Sequence, residues 1–257
     1  MPFTGSHPAA VLPLVGTVLP ASALVIGSMV PDVPLYLPHS PLSYARTHSL
    51  LGVITVDVVL GVIGLLLWHL LLGRAADAVA PRVVRARLSP PRPFPLTPLA
   101  VVAVVIGALT HVGWDELTHG DRWGAHHIAW LRQQHGPLEG ARWAQYASTV
   151  LGALVIAAWT WAWWRRTSPH PRPDVVSVRV RRSAFAALVA ALAAGAAWGV
   201  AQTVADGGDV HLVFFHLATH AGAVAALAAV LVAIWVRGAI AAGDDARAER
   251  SAGGGHS

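Results

Sequence analysis

The sequence contains no cysteine and no lysine, and it has few charged residues of any kind. The absence of cysteine excludes disulfides, zinc–thiolate sites, iron–sulfur clusters and a cysteine nucleophile. Charged residues make up 12% of the 257 residues, which is about half the usual share, whereas 55% are hydrophobic. This composition excludes an ordinary soluble globular protein and a disordered chain.

The sequence contains several long apolar runs. Five runs are long enough to cross a bilayer, which takes about 20 residues: 48–72, 96–117, 143–164, 183–205 and 210–236. Residues 8–30 are also apolar but contain Pro13, Gly16 and Pro20. This punctuation predicts two short helices, 6–15 and 21–29, that form a hairpin; a single kinked span is the alternative. We therefore expect an all-α, polytopic membrane helical bundle with five long spans and an N-terminal short helical hairpin.

The same apolar runs predict how the chain is organised into domains. We expect one integral membrane helical domain over 1–240, with polar residues concentrated in 1–130 and further spans in 143–236. The segment 241–257 is small and polar, which predicts a disordered tail. The loops 73–95 and 165–182 are rich in proline and arginine, which predicts extended connectors without a core.

The arginines are distributed unevenly among the connecting segments. Loop 73–95 holds five, loop 165–182 holds six and the tail from Arg237 holds three, whereas 118–142 holds three and 206–209 holds only acids. The positive-inside rule then places both arginine-rich loops and the C-terminus in the cytoplasm of a multi-pass protein of the cell membrane. No basic face carries interleaved aromatic residues, so the expected partner is membrane lipid and not nucleic acid.

This topology collects polar residues at the outer ends of the early helices. His48 begins the first long span, and Asp32 and His39 lie in the connector before it. His7 joins them if the first apolar stretch is a hairpin, but it lies on the cytoplasmic side if that stretch spans the membrane. The second long span ends at the same outer face.

The end of the second span carries the strongest local pattern, His111-Val-Gly-Trp-Asp115-Glu-Leu-Thr-His119. Residues four apart share a helical face, so the two histidines and Asp115 form one stripe. The stripe predicts a pair of metal ligands with a third ligand or a supporting group, and a hydrogen-bonded polar cap is the alternative. Imidazole and carboxylate ligands suit zinc, manganese or iron.

Other polar residues are less informative. Asp57 lies nine residues into the first span, where inserting a carboxylate into the membrane costs roughly 3 kcal/mol. It either orients a ligand histidine or is protonated and structural. Histidines in the last span and in the outer loop are interpreted mainly as packing and loop residues: His211, His216 and His220, then His126, His127 and His135.

Four segments together resemble a bacterial membrane-protein family, domain-of-unknown-function family 4184, over about residues 1–130. They are Met1-Pro-Phe-Thr-Gly-Ser-His7, Ala23-Leu-Val-Ile-Gly-Ser-Met-Val-Pro-Asp32, Thr47-His48-Ser-Leu-Leu-Gly and Gly107-Ala-Leu-Thr-His111-Val-Gly-Trp-Asp115-Glu-Leu-Thr-His119. The resemblance implies a membrane topology but no reaction.

A more distant likeness is to inner-membrane proteins described as metal-dependent hydrolases. These share an early histidine, a Pro-Asp, a Thr-His-Ser and a His-x3-Asp in the same order. The resemblance implies a ligand set of His7, Asp32, His48, His111 and Asp115. That group often has a His-Arg pair near the Pro-Asp, and this chain lacks it, so His39 is not placed in the set.

The leading hypothesis is a membrane-embedded metal-dependent hydrolase at the outer membrane–water interface, acting on a lipid phosphoester. The expected cofactor is a divalent metal, zinc first, with manganese or iron as alternatives. The roles assigned are a general base (Asp115 or Glu116), accessory groups (His119 and Asp57) and phosphate-binding arginines (Arg46 and Arg122). Two alternatives stay open. One is a non-enzymatic protein with a structural metal or polar cluster, and the other is a proton-coupled carrier that uses Asp57, His216 and His220.

Overall fold

The computed structural model describes residues 4–37, 40–90 and 97–253, with side chains described as far as Ala242. The regular secondary structure of the described residues is helical apart from one antiparallel β-hairpin, in which Gln134 pairs with Glu139. The α-helices are α1 (Ala21–Gly27), α2 (Val33–Tyr36), α3 (Tyr44–Thr47), α4 (Leu50–Ile54), α5 (Val56–Leu67), α6 (Gly73–Val79), α7 (Arg82–Arg85), α8 (Pro98–Thr118), α9 (Trp123–His127), α10 (Ala129–Arg132), α11 (Gly140–Arg166), α12 (Val178–Ala205) and α13 (Val210–Gly253). The strands are β1 (Gln134–His135) and β2 (Leu138–Glu139).

Three helical segments depart from α geometry. Thr4–Leu14 and Val30–Asp32 are 3₁₀ helices, and Trp68–Leu72 is a π-helix. Pro8 and Pro13 lie inside the first segment, where the missing N–H groups prevent a regular α-helix. The two N-terminal helices predicted from the sequence are therefore present, and the chain turns between them at Gly16, whose φ is 96°.

The five long spans are confirmed. Within the described residues, five helical segments are long and apolar enough to cross a membrane: Leu50–Val79, Pro98–His127, Gly140–Arg166, Val178–Ala205 and Val210–Ala242. The first is not one continuous α-helix, because Thr55 interrupts it between α4 and α5 and bonds its hydroxyl to the carbonyl of Leu51. Side-chain oxygens cap several helix starts, as at Ser49 and Thr97.

The chain divides into two compact units, Met1–Leu65 with Pro95–Arg166, and Leu66–Phe94 with Thr167–Ser257. In the first unit, α8 packs closely against α1 because glycines face each other. A Cβ at Gly27 would lie 2.3 Å from the carbonyl oxygen of Val104, and one at Gly107 would lie 2.5 Å from that of Leu24. The 3₁₀ helix Thr4–Leu14 similarly approaches α11 at Gly152. Glycine thus sets the spacing of the helices that carry the polar residues.

The second unit is built on the pair α12 and α13. Gly195 and Gly199 allow the backbones to approach, since a Cβ at Gly199 would lie 2.4 Å from the carbonyl oxygen of His216. The histidines of α13 have partners in this unit: Nδ1 of His216 lies 3.0 Å from the Thr203 hydroxyl, and Nε2 of His220 lies 2.8 Å from the Gln202 amide oxygen. These contacts agree with a packing role for both histidines.

The arginine-rich loops are less extended than predicted. Residues 73–79 and 82–85 are helical, and Ala75 and Ala78 pack in an apolar cluster with Val176, Ala184, Ala233 and Val236. The prediction of connectors without a core is wrong for this part, because the loop carries its own acidic partner. Asp77 accepts from Arg172 at 2.5 Å, and Arg85, also paired with Asp77, donates to the Pro173 carbonyl at 2.6 Å.

Some predictions fall wholly or partly outside the described residues. His39, residues 91–95 of the proline-rich loop 73–95 and the last four residues are among them. The helix α13 extends to Gly253, so most of the segment 241–257 is assigned as helix, and its predicted disorder stays a prediction. The expectation of one domain over 1–240 also stays a prediction.

Candidate metal centre

The stripe on α8 lies on the buried side of the helix. His111 and Asp115 are 0% and 1% exposed, and His119, which follows the last residue of α8, is also buried. The i,i+4 spacing brings Nε2 of His111 within 3.6 Å of Oδ2 of Asp115. The predicted shared face is therefore present, and it faces protein.

Two other segments of the first unit complete the cluster. Asp32 ends the 3₁₀ turn Val30–Asp32, where Pro31 and Pro34 hold the backbone, and His48 directly follows α3. Asp32, His48, His111 and Asp115 each present one ligand atom, and these atoms all lie within 4.8 Å of one another. Three segments far apart in sequence thus contribute to one buried cluster.

The spacing of these atoms suits a small cation. Oδ1 of Asp32 lies 3.9 Å from Nε2 of His48 and 3.5 Å from Nε2 of His111. Oδ2 of Asp115 lies 3.3 Å and 3.6 Å from the same two nitrogens. Tetrahedral ligands at metal distances of about 2.0–2.1 Å are separated by about 3.3 Å. These four separations are close to that value, so the four atoms can approach one small cation.

The polar atoms that face the cluster lack other partners. Within the described residues, Nε2 of His48, Nε2 of His111 and Oδ1 of Asp32 are buried and have no hydrogen-bond partner. An unpaired buried polar atom costs about 1–3 kcal/mol, so three in one cluster are expected only if a ligand satisfies them. The donor set and its unpaired atoms thus fit a divalent metal.

Backbone carbonyls set the orientation of the imidazoles. Nδ1 of His111 donates to the Ser28 carbonyl at 2.8 Å, and Nδ1 of His48 donates to the Tyr44 carbonyl at 3.1 Å. Because a carbonyl oxygen only accepts, each Nδ1 carries the hydrogen and each Nε2 keeps a lone pair directed at the cluster. Both histidines are therefore held in the tautomer that binds metal.

The carboxylates are held in a similar way. Oδ2 of Asp32 accepts from the Thr4 hydroxyl at 2.6 Å, and that hydroxyl accepts from Tyr36 at 2.8 Å. The Thr4 hydroxyl thus orients Asp32 and leaves its Oδ1 facing the cluster.

His7 lies beside the cluster of four. Its ring stacks on that of His111 with 3.7 Å between centroids, and its Nε2 lies 3.7 Å from Oδ1 of Asp115. Burial lowers the pKa of His7 from 6.5 to about 4, so its imidazole is neutral at pH 7. The structure thus brings all five residues of the predicted ligand set together, with His7 on the other oxygen of Asp115.

Comparison with known proteins gives one family match. A family model for a domain of unknown function, DUF4184, matches residues 1–239. The chain belongs to this family. No curated protein and no solved structure gives a significant match to the chain. The matched residues include the cluster, the first four spans and all but the last three residues of the fifth span, and the family model names no reaction.

The structure also describes three other predicted site residues of this DUF4184 chain, Glu116, Asp57 and Arg46. Glu116 faces away from it, since its carboxylate accepts from Arg122 at 3.3 Å and from the Trp123 backbone N–H at 3.0 Å. Asp57 is fully buried, and neither of its oxygens has a hydrogen-bond partner among the described residues. Arg46 is exposed.

Sequence reasoning missed Tyr44. Its hydroxyl donates to Oδ2 of Asp115 at 3.0 Å, its ring stacks on His48 at 3.7 Å, and the Arg122 guanidinium lies 5.3 Å from the ring centre. Burial, followed by the charge of Asp115, raises the pKa of Tyr44 well above its ordinary value, so the phenol keeps its hydrogen. A tyrosine four residues before a ligand histidine was the available signal.

We expect Tyr44→Phe to weaken metal binding about 10–100-fold, because Asp115 loses the hydroxyl that orients it. Competition with a chromophoric chelator in detergent measures the affinity. Tyr146→Phe, which removes the hydroxyl of an exposed tyrosine in α11, is the control. Equal affinities in Tyr44→Phe and the wild type would show that the phenol does not support the ligand.

Proposed function

We propose that the chain is a membrane-embedded metal-dependent hydrolase of phosphoesters, with zinc as the first candidate metal and manganese or iron as alternatives. The observation that carries the proposal is the buried set Asp32, His48, His111 and Asp115, whose ligand atoms lie within 4.8 Å of one another. Two imidazoles and two carboxylates are a common donor set for a divalent metal of this kind.

In this proposal, the four clustered residues hold the cation, and Tyr44 supports one of them. When bound, a divalent cation acts as a Lewis acid that acidifies water and polarises the ester to be hydrolysed. Tyr44 keeps Asp115 in position through its hydroxyl. Since both oxygens of Asp115 face histidines, we assign Asp115 to metal binding before base catalysis.

Arg122 is the better supported of the two phosphate-binding arginines. It is partly buried over the Tyr44 ring, and within the described residues its Nε is buried without a hydrogen-bond partner. Glu116 holds the other end of the guanidinium, so we assign Glu116 to positioning Arg122. A guanidinium fixed in this way suits a phosphate oxygen. Arg46 is exposed and would meet the substrate farther out.

The expected position of the cluster in the membrane indicates the class of substrate. Arginine-rich loops at 73–95 and 165–182 support a cytoplasmic location for those loops and for the C-terminus. The alternation of five spans then favours an outer location for the cluster, at the level of lipid headgroups. We therefore propose a lipid phosphoester as the substrate.

Hydrolysis assays on the detergent-purified protein test the proposal. We expect cleavage of phosphomonoester or phosphodiester probes, loss of cleavage with a chelator and recovery with added zinc, manganese or iron. Arg122→Ala should raise KM more than it lowers kcat, because it removes a substrate contact. Absence of stoichiometric metal, after purification without chelator and with metal added back, would overturn the proposal.

A structural metal is the second candidate, and the near-complete burial of the four ligands favours it. The two functions differ in the effect of a chelator on folding. Metal removal should silence a hydrolase while leaving it helical and monodisperse, whereas removal of a structural ion should unfold the first unit. Thermal unfolding followed by circular dichroism, with and without chelator, separates them.

A further inference from the structure

Charged side chains of the second unit form one network, apart from the residues of the metal centre. Its members come from α6, α7, the segment between α11 and α12, and the start of α12: Asp77, Arg82, Arg85, Arg172, Asp174 and Arg181. Arg85 joins the two aspartates, because its Nε lies 3.3 Å from Oδ2 of Asp77 and its Nη1 lies 3.9 Å from Oδ1 of Asp174. The six side chains therefore act on one another as a single group of charges.

The arginines of this network exceed the aspartates in charge and in hydrogen-bonding groups. Asp174 accepts from Nε of Arg82 at 2.8 Å and from Arg181 at 2.7 Å, and these hydrogen bonds lower the pKa of Asp174 to about 2. Asp174 is therefore ionised at neutral pH, and four arginines against two aspartates still leave two positive charges over. Four guanidiniums also carry about twenty N–H groups, whereas two carboxylates offer about eight acceptor positions.

Much of the positive charge is removed from water. Arg85 is 5% exposed, and the side chains of Arg172 and Arg181 are 23% and 16% exposed. Within the described residues, the Nε atoms of Arg172 and Arg181 are buried and have no hydrogen-bond partner. The backbone carbonyl of Pro173 accepts from Arg85, but a carbonyl carries no net charge. A partly buried network with excess positive charge is stabilised by an anion.

The network lies at the ends of two membrane spans. The span Leu50–Val79 ends in α6, and Arg181 lies near the start of the span Val178–Ala205. Phospholipid headgroups lie at this level of a membrane, next to the acyl chains. Val83 of α7 is 63% exposed, and an exposed valine among arginines suits contact with a lipid. This position favours a lipid phosphate over a phosphate dissolved in water.

We propose that this network binds the headgroup phosphate of an anionic phospholipid, with Arg82 and Arg181 as its contacts. The Arg82 side chain is 72% exposed, so it can reach a lipid without leaving Asp174. Guanidinium groups donate two parallel hydrogen bonds to phosphate oxygens, and the lipid supplies the negative charge that the two aspartates lack. The positive-inside rule favours the cytoplasmic leaflet for this site. The inference does not depend on the proposed hydrolase function.

Lipid titration of the detergent-purified full chain, followed by native mass spectrometry, tests the proposal. We expect phosphatidylglycerol to bind the wild type at least about tenfold more tightly than phosphatidylcholine of the same acyl chains or inorganic phosphate. An arginine near an anionic lipid surface contributes about fivefold in affinity. Arg82→Gln/Arg181→Gln should therefore weaken the binding of phosphatidylglycerol about 10–30-fold.

Asp174→Asn is the matched control, because it breaks the same two ion pairs but keeps both arginines. It should bind phosphatidylglycerol at least as tightly as the wild type. A loss of affinity as large as that of the arginine variant would overturn the assignment, since the loss would then report damage to the network and not a missing lipid contact.

The wild type alone also decides the choice of ligand. Phosphatidylglycerol should raise the temperature of thermal unfolding, because a ligand that binds the native state stabilises it, whereas phosphatidylcholine should not. Equal effects of the two lipids, or binding of inorganic phosphate as tight as that of phosphatidylglycerol, would overturn the lipid proposal. Metal content should be the same in Arg82→Gln/Arg181→Gln and the wild type, so failure here is distinguishable from failure of the hydrolase proposal.

Discussion

His48→Ala is expected to abolish stoichiometric metal binding. Structural zinc sites with four ligands contribute about 10–16 kcal/mol, so one ligand accounts for about 3 kcal/mol, or more than about 100-fold in affinity. The lost side chain also leaves Oδ2 of Asp115 without its nearest nitrogen, at 3.3 Å. Metal content after gel filtration and hydrolysis of a phosphoester probe should fall together.

The control for this experiment is His127→Ala. His127 is exposed on α9 and its Nδ1 lies near the Trp123 carbonyl, so its removal should change neither metal content nor rate. Retention of full metal content in His48→Ala would remove His48 from the ligand set. A protein that keeps its metal but loses its activity would indicate that His48 acts on the substrate and not on the cation.

Gly107→Val is expected to destroy the metal centre without removing a ligand. A Cβ at Gly107 would lie 2.5 Å from the Leu24 carbonyl oxygen and 2.6 Å from the Ser28 nitrogen, so α1 and α8 must separate. Separation breaks the hydrogen bond between His111 and the Ser28 carbonyl, one turn along α8. We expect a loss of about 3 kcal/mol or more in the free energy of unfolding, together with loss of bound metal.

A second glycine of the same helix provides the matched control. A Cβ at Gly113 meets no atom within 4 Å, and alanine has the higher helix propensity, so Gly113→Ala should keep both stability and metal. Thermal unfolding in detergent and metal analysis measure the two effects. Wild-type metal content in Gly107→Val would show that the spacing of α1 and α8 does not control the site.

The sequence predicted those features that depend on local spacing. The four-residue repeat of His111, Asp115 and His119 requires one face of a helix, and the structure shows that face buried. The apolar runs likewise predicted all five spans, since length and composition alone identify them. Prolines and a glycine in 8–30 predicted the two short helices that carry His7 towards Asp115.

The features that sequence reasoning missed depend on tertiary contacts. Tyr44 looks like an ordinary interfacial aromatic residue until its hydroxyl is seen on Asp115. The carbonyl of Ser28 that supports His111 is a backbone group, so a pattern of side chains along the sequence does not indicate it. The packed loop 73–90 was missed because its stability comes from pairing Asp77 with Arg172, which lies 95 positions later.

The use of main-chain carbonyls to orient the histidines has an evolutionary consequence. Ser28 supports His111 only through its carbonyl, which survives every substitution that preserves the local backbone. This support therefore depends on the backbone fold around Ser28 and on a side chain small enough for its buried position. In homologous chains, the carbonyl supports of the histidines should therefore persist as backbone geometry, whereas the hydroxyl supports of the carboxylates, Thr4 and Tyr44, should persist as residue types together with the ligands.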